Sequence, residues 1–144
     1  MEQLYLVAEA GGARFAMPAG AIGSVVPASD VVPVPRAAFM VAGVAALRSN
    51  VVTVIDTMAA IDGRPASVSE GQSLIVVNVD GFLYGLAVDE VHDVCECPEL
   101  PEKLEGAFEP GWHRISTGVI EMEGRSVVVI NPAALVVLPE SKAA

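Results

Sequence analysis

Apolar residues in this chain come in short blocks, at 4–7, 25–26, 51–55, 74–79 and 127–130, parted by Gly, Pro, Asp and Ser. Blocks of Val, Ile and Leu bounded by turn formers predict strands. Gly11-Gly12 and Asp80-Gly81 stand between paired blocks and predict two-residue hairpin turns, because both positions need positive φ at low steric cost. Glu123-Gly124-Arg125 predicts a third turn, between 118–122 and 126–130, and Arg48-Ser49-Asn50 takes the same place between 43–47 and 51–55. Helix is scarce. Asn131-Pro132 marks one start, with Asn as N-cap and Pro at the first helical position; Asp56 marks another before residues 57–61, which Asp62-Gly63 ends.

The pattern repeats. Residues 43–56 set against 118–131 need no gap and keep their apolar character through most of the length. The earlier hairpins also correspond, with Gly12 on Gly81, Phe15 on Tyr84, Met17 on Leu86, Ile22 on Val91 and Val25 on Val94. The chain therefore reads as two copies of one β unit of about 65–75 residues, too long for a solenoid repeat and suited to a duplicated small barrel or sheet. The fold class expected is all-β with short helices, a single domain over 1–144. Residues 1–65 and 72–138 form the two barrel halves, 139–144 a tail, and the join falls near the Gly-, Ser- and Pro-bearing stretch 62–73.

Composition narrows the function. With 144 residues, 53% hydrophobic and 18% charged, the chain buries enough apolar surface for one domain, which excludes intrinsic disorder. Its formal net charge of -10 repels nucleic acid and anionic membrane surfaces, and the acidic excess lies in the second half: residues 71–144 hold four bases and twelve acids. No basic leader opens the sequence, and the longest apolar stretch, 37–47, is too short and too rich in Ala and Gly to span a bilayer. A cytoplasmic protein without direct membrane insertion is expected. Cys95 and Cys97, one residue apart, suit a reducing compartment better than a disulfide.

Candidate chemistry is thin. His92, Cys95 and Cys97, with His113 beyond, offer metal-ligand types, but the Cys spacing is not that of structural zinc, and neighbouring Glu96 disfavours a reactive thiolate. Asp89, Glu90, Asp93, Glu96, Glu99, Glu102, Glu105 and Glu109 crowd a proline-broken segment that matches neither a calcium loop nor a glycosidase pair and reads as a solvated acidic loop. Phosphate-cradling and nucleophile-elbow motifs are missing, so no catalytic residue, cofactor or metal is assigned. Residues 31–36 alternate Val and Pro, which suits an edge that meets another chain or one that merely resists aggregation. Arg48 is a lone cation in an apolar hairpin, either solvated or a hydrogen-bond donor to a partner. Trp112 follows a Pro-Gly pair and suits a lid over a local core.

The run Gly43-Val44-Ala45-Ala46-Leu47-Arg48-Ser49-Asn50-Val51-Val52-Thr53-Val54-Ile55-Asp56 resembles the Gly-hydrophobic-x-Asn-Leu-Arg-Gly-x-hydrophobic-hydrophobic-Pro-hydrophobic-hydrophobic-Asp signature of CheW-like chemotaxis coupling domains. Residues 88–94 resemble that family's Val-Asp-x-Val-x-x-Val segment, and the resemblance runs from about residue 4 to about residue 138. It implies two SH3-like five-stranded barrels and a non-catalytic adaptor. The partners implied are methyl-accepting chemoreceptors and the regulatory domain of a CheA-type histidine kinase, in cytoplasmic signalling arrays. Receptor tips are expected in the groove between the barrels, at Ile22, Ser24, Val25, Arg48 and Val91; the kinase is expected at barrel edges, at Val32, Val34 and Phe39.

This chain departs from the family pattern. Ala46 replaces Asn, Ser49 Gly, Thr53 Pro and Thr57 Leu, while Ser24 stands where many members carry an acid near the groove Arg. A divergent member is implied, and an accessory form that binds one of the two usual partners is an alternative. A metal- or redox-responsive module using His92, Cys95 and Cys97 is another, and a hydrolase with an acidic site is the least supported.

Overall fold

The computed structural model describes residues 3–97, 101–102 and 110–137. Ten strands and three short helices follow in the order β1 Gln3–Ala10, β2 Ala13–Pro18, β3 Ile22–Pro27, β4 Val41–Leu47, β5 Asn50–Asp56, α1 Thr57–Asp62, β6 Ser73–Val79, β7 Phe82–Val88, β8 Glu90–Cys97, α2 Pro110–Ile115, β9 Ser116–Met122, β10 Arg125–Ile130 and α3 Pro132–Leu135. All four predicted turns form. Each has two central residues at positive φ: Gly11 and Gly12, Arg48 and Ser49, Asp80 and Gly81, Glu123 and Gly124. That is the backbone twist tight hairpins require.

The strands make two five-stranded sheets, ordered β8-β1-β2-β10-β9 and β3-β6-β7-β5-β4. The expectation that 1–65 and 72–138 each close their own barrel is corrected by this order. Hairpin β1–β2 sits in the sheet of β8, β9 and β10, and hairpin β6–β7 in the sheet of β3, β4 and β5. The chain passes between sheets at the 3-10 turn Ala19–Ala21 and again at Asp89. Parallel pairs fix the exchange: Val128 faces Phe15 and Val129 faces Ala16, while Thr53 faces Tyr84 and Val54 faces Gly85. Because Phe15 and Tyr84 are equivalent in the repeat, β5 and β10 accept either hairpin equally well by pattern. Exchanging like elements preserves every type of interface.

Period-two alternation divides the core. On β1, Leu6, Ala8 and Ala10 point to a central cluster that also holds Phe15, Ile55 and Ile130, whereas Tyr5 points into the first sheet with Ala16, Cys97 and Val129. The second sheet has its own interior of Ala28, Val54, Leu74 and Ala87.

Both helix starts hold as predicted. The Asp56 carboxylate accepts from Ala59 N at 3.3 Å and Gly63 closes α1 at φ 79; Asn131 Oδ1 accepts from Ala133 N at 3.1 Å. Asp56 also accepts from Ser67 N at 2.9 Å, tying down the loop after α1. Helix α2 is not foreseen by the sequence pattern. It brings Trp112 over the central cluster, with ring centroids 6.2 Å from Phe15, the lid that its Pro-Gly setting suggests.

Candidate docking surfaces

Sequence reasoning names two groups of surface residues, and the fold treats them differently. Strands β3 and β8 are edge strands of different sheets, in matching places. Ile22 pairs with Val77 and Val91 with Ala8, and both half-buried side chains pack on the central cluster. The fold thus brings Ile22 and Val91 onto one core. Ser24 is half-buried and Val25 is 43% exposed further along β3. Arg48 lies elsewhere, on the β4–β5 turn, exposed and at φ 50. Among the described residues no carboxylate forms an ion pair with it. Its neighbour Leu47 joins Val26 and Pro27 in lining a cavity of about 300 Å³ between the edges β3 and β4.

The second group is more compact. Val32 is joined to Val44 by a two-way backbone bridge of 2.8 and 2.9 Å and leaves its side chain 58% exposed. Pro33 and Pro35 have no N–H to extend that bridge, so the strip leaves β4 after one pair. Val34 and Phe39, both exposed, then line one groove of about 430 Å³ with Pro33, Arg36, Val41 and Pro65. An apolar groove with a lone cation on its rim is suited to an apolar partner segment bearing a polar end.

Of the exposed apolar residues that the sequence reading misses, Val51 and Phe82 are the most exposed among the described residues. Val51 and Phe82, 68% and 67% exposed, each lie two positions before the paired Thr53 and Tyr84 and so emerge on one face of neighbouring strands. The alternation was readable; that their ends of the strands stay uncovered was not.

The thiol candidates do not assemble. Half-buried Cys95 and buried Cys97 line a cavity of about 530 Å³ near His92. Among the described residues, however, the metal-ligating atoms that gather within 4.8 Å of one another belong to Glu9, Glu90 and His92, with neither sulfur among them. The expectation of a His92/Cys95/Cys97 site is corrected on that geometry, and His113 lies away on α2. Burial inside the first sheet raises the Tyr5 phenol above its ordinary value, and the Cys97 thiol beside it adds to the effect. Of the acidic segment, Glu99, Glu105 and Glu109 fall outside the described residues. Asp89 is more than a solvated acid: its carboxylate accepts from Gly11 N at 2.8 Å, and its own N–H donates to the Glu9 carbonyl at 2.8 Å, pinning the sheet crossing to the first turn.

The two exchanged five-stranded sheets are SH3-like in type and carry apolar grooves at their edges. A model of the CheW-like domain matches residues 4–140, and the chain belongs to that family, one of non-catalytic chemotaxis scaffolds and adaptors. The fold is similar to that of the scaffolding protein TtCheW from Thermoanaerobacter tengcongensis. The two superpose with a TM-score of 0.82 at 19% identity, over 96% of this chain and 90% of that one. No curated protein sequence matches. Among the described residues no helix is long and apolar enough to cross a membrane.

Proposed function

We propose that this chain couples methyl-accepting chemoreceptors to a CheA-type histidine kinase, as a cytoplasmic adaptor recruited to receptor arrays. Membership of the CheW-like family over residues 4–140 carries the reading. The exposed apolar strip Val32, Val34 and Phe39 supports a kinase contact, since apolar side chains around a groove give the central anchors of a docking surface. Ile22, Ser24, Val25 and Val91, along two equivalent edge strands, form the receptor face. Arg48 contributes from its turn as a donor with no intramolecular ion pair among the described residues.

The test is co-sedimentation with purified chemoreceptor signalling fragments and, separately, with the kinase regulatory domain. Arg48→Glu is expected to lose receptor binding and keep kinase binding, and Phe39→Asp the reverse. Wild-type protein that binds neither partner rejects the adaptor reading. Binding of one partner alone identifies the accessory form, which the replaced signature positions Ala46, Ser49 and Thr53 make the second reading.

A further inference from the structure

The first sheet carries a charged cluster that its duplicate lacks. Glu9 on β1 stands directly opposite Glu90 on β8, and Arg14 stands opposite Glu9 on β2. Like charges directly opposite each other weaken a strand pair, so the two carboxylates call for a cation between them. Arg14 reaches only one side: its Nη2 lies 3.6 Å from Glu9 Oε2. The other oxygen, Oε1, faces His92 Nε2 at 3.8 Å, beyond hydrogen-bond length. His92 Nε2 is enclosed and has no hydrogen-bond partner, although the ring as a whole is 30% exposed.

The duplicate shows that the fold does not need these charges. At the offset that sets Phe15 on Tyr84, Asn78 takes the place of Glu9, Leu83 of Arg14, Ala21 of Glu90 and Gly23 of His92. The strands there pair in the same way, with Ile22 on Val77 matching Val91 on Ala8.

We propose that Glu9, Glu90 and His92 bind one zinc ion that clips edge strand β8 to β1. Their ligand atoms already lie within 4.8 Å of one another. Zinc bonds of about 2.0–2.2 Å in a tetrahedron hold ligand atoms about 3.3–3.6 Å apart, a closure that the exposed Glu90 and half-buried Glu9 and His92 reach by rotamer change. One imidazole nitrogen with two carboxylates is a donor set for zinc or a similar first-row divalent ion, not for calcium or magnesium, which take oxygen. Three protein ligands leave one position for water. Arg14, held against the remaining oxygen of Glu9, is the outer partner that orients this carboxylate. The proposal stands apart from the adaptor reading, since the site shares no residue with either docking face.

The experiment is calorimetric titration of the full chain with zinc chloride at neutral pH in a non-chelating reductant, repeated with Co²⁺ followed by absorption. Wild type and the Cys95→Ser/Cys97→Ser variant are expected to bind one ion each, with no sulfur-to-cobalt charge-transfer band. His92→Gln and Glu90→Gln are expected to bind at least about tenfold more weakly, the smallest loss usual even for outer-shell changes. Zinc should also raise the melting temperature of wild type but not of His92→Gln, because it binds only the folded cluster. Absence of stoichiometric binding, binding that survives His92→Gln, or binding lost with the thiols each overturns the proposal.

Discussion

Arg114 donates from Nη2 to the carbonyl oxygen of Ala60 at 2.7 Å, and from Nη1 to that of Ala134 at 3.1 Å. Ala60 belongs to α1 and Ala134 to α3, so one guanidinium joins carbonyls near the ends of two short helices, where intrahelical donors run out. Helices of six and four residues do not hold in water alone and depend on such tertiary support. Gly111, on the same α2, lets this helix approach so closely that a Cβ there would collide with the Ile61 carbonyl. At the repeat position of Arg114 the first copy has Phe39, in a turn, exposed and lining the groove. The same place in the duplicate therefore braces helices in one copy and presents an apolar contact in the other.

Arg114→Met is expected to lower stability by about 2–4 kcal/mol, since two hydrogen bonds to a charged donor are lost and both carbonyls stay half-enclosed. Urea unfolding measures this as a lower midpoint with unchanged slope. A midpoint equal to wild type removes Arg114 as a brace.

Gly43 and Gly118 stand just before the two equivalent bridges, Val44 to Val32 and Val119 to Glu102. Their φ values are 153 and 154, and a Cβ at Gly118 would lie 2.6 Å from the Glu102 carbonyl oxygen. Gly118→Ala combines backbone strain of about 1–3 kcal/mol with that collision. We expect a protein that is unfolded or destabilised beyond 3 kcal/mol, checked by near-ultraviolet circular dichroism and chemical denaturation.

Ser49→Gly is expected to stabilise. Ser49 sits at φ 74, where its repeat counterpart Gly124 sits at φ 75. Relief of about 1–2 kcal/mol of left-handed strain exceeds the extra unfolded-state entropy of glycine, about 0.4–1 kcal/mol, so a gain near 0.5–1 kcal/mol follows. A thermal midpoint that falls would show that the Ser49 side chain supports the turn.

Tyr5 ionises later than a free tyrosine because burial disfavours the phenolate, with a Coulombic contribution from Cys97 in the same direction. Its folded value lies above its unfolded value of 10.0, so the native state holds its proton longer and stability is unaffected below that pH. Stability then falls as pH rises above 10.0, where the unfolded chain releases the proton first. Phenolate absorption should show a tyrosine that ionises above the ordinary tyrosine range and is lost in Tyr5→Phe, and that variant should flatten the alkaline decline. A late-ionising phenolate that persists in Tyr5→Phe contradicts this assignment.

Much was determined by the sequence alone. Strands, all four hairpin turns and both capped helix starts followed from local chemistry: turn formers at positive φ, side-chain caps at Asp56 and Asn131, and apolar blocks of strand length. Local rules suffice there because each partner lies within a few residues. The repeat was equally readable, and it concealed the sheet order. Phe15 and Tyr84, or Met17 and Leu86, satisfy the same neighbour, so only the assembled fold decided that each hairpin pairs with the other copy's strands. Helix α2 and the Arg114 brace were hidden because their partners, Ala60 and Ala134, lie 54 and 20 residues away. The meeting of Glu9 with Glu90 and His92 had the same cause. Antiparallel pairing of the first strand with the eighth brings together charges that the linear pattern shows only as scattered polar positions.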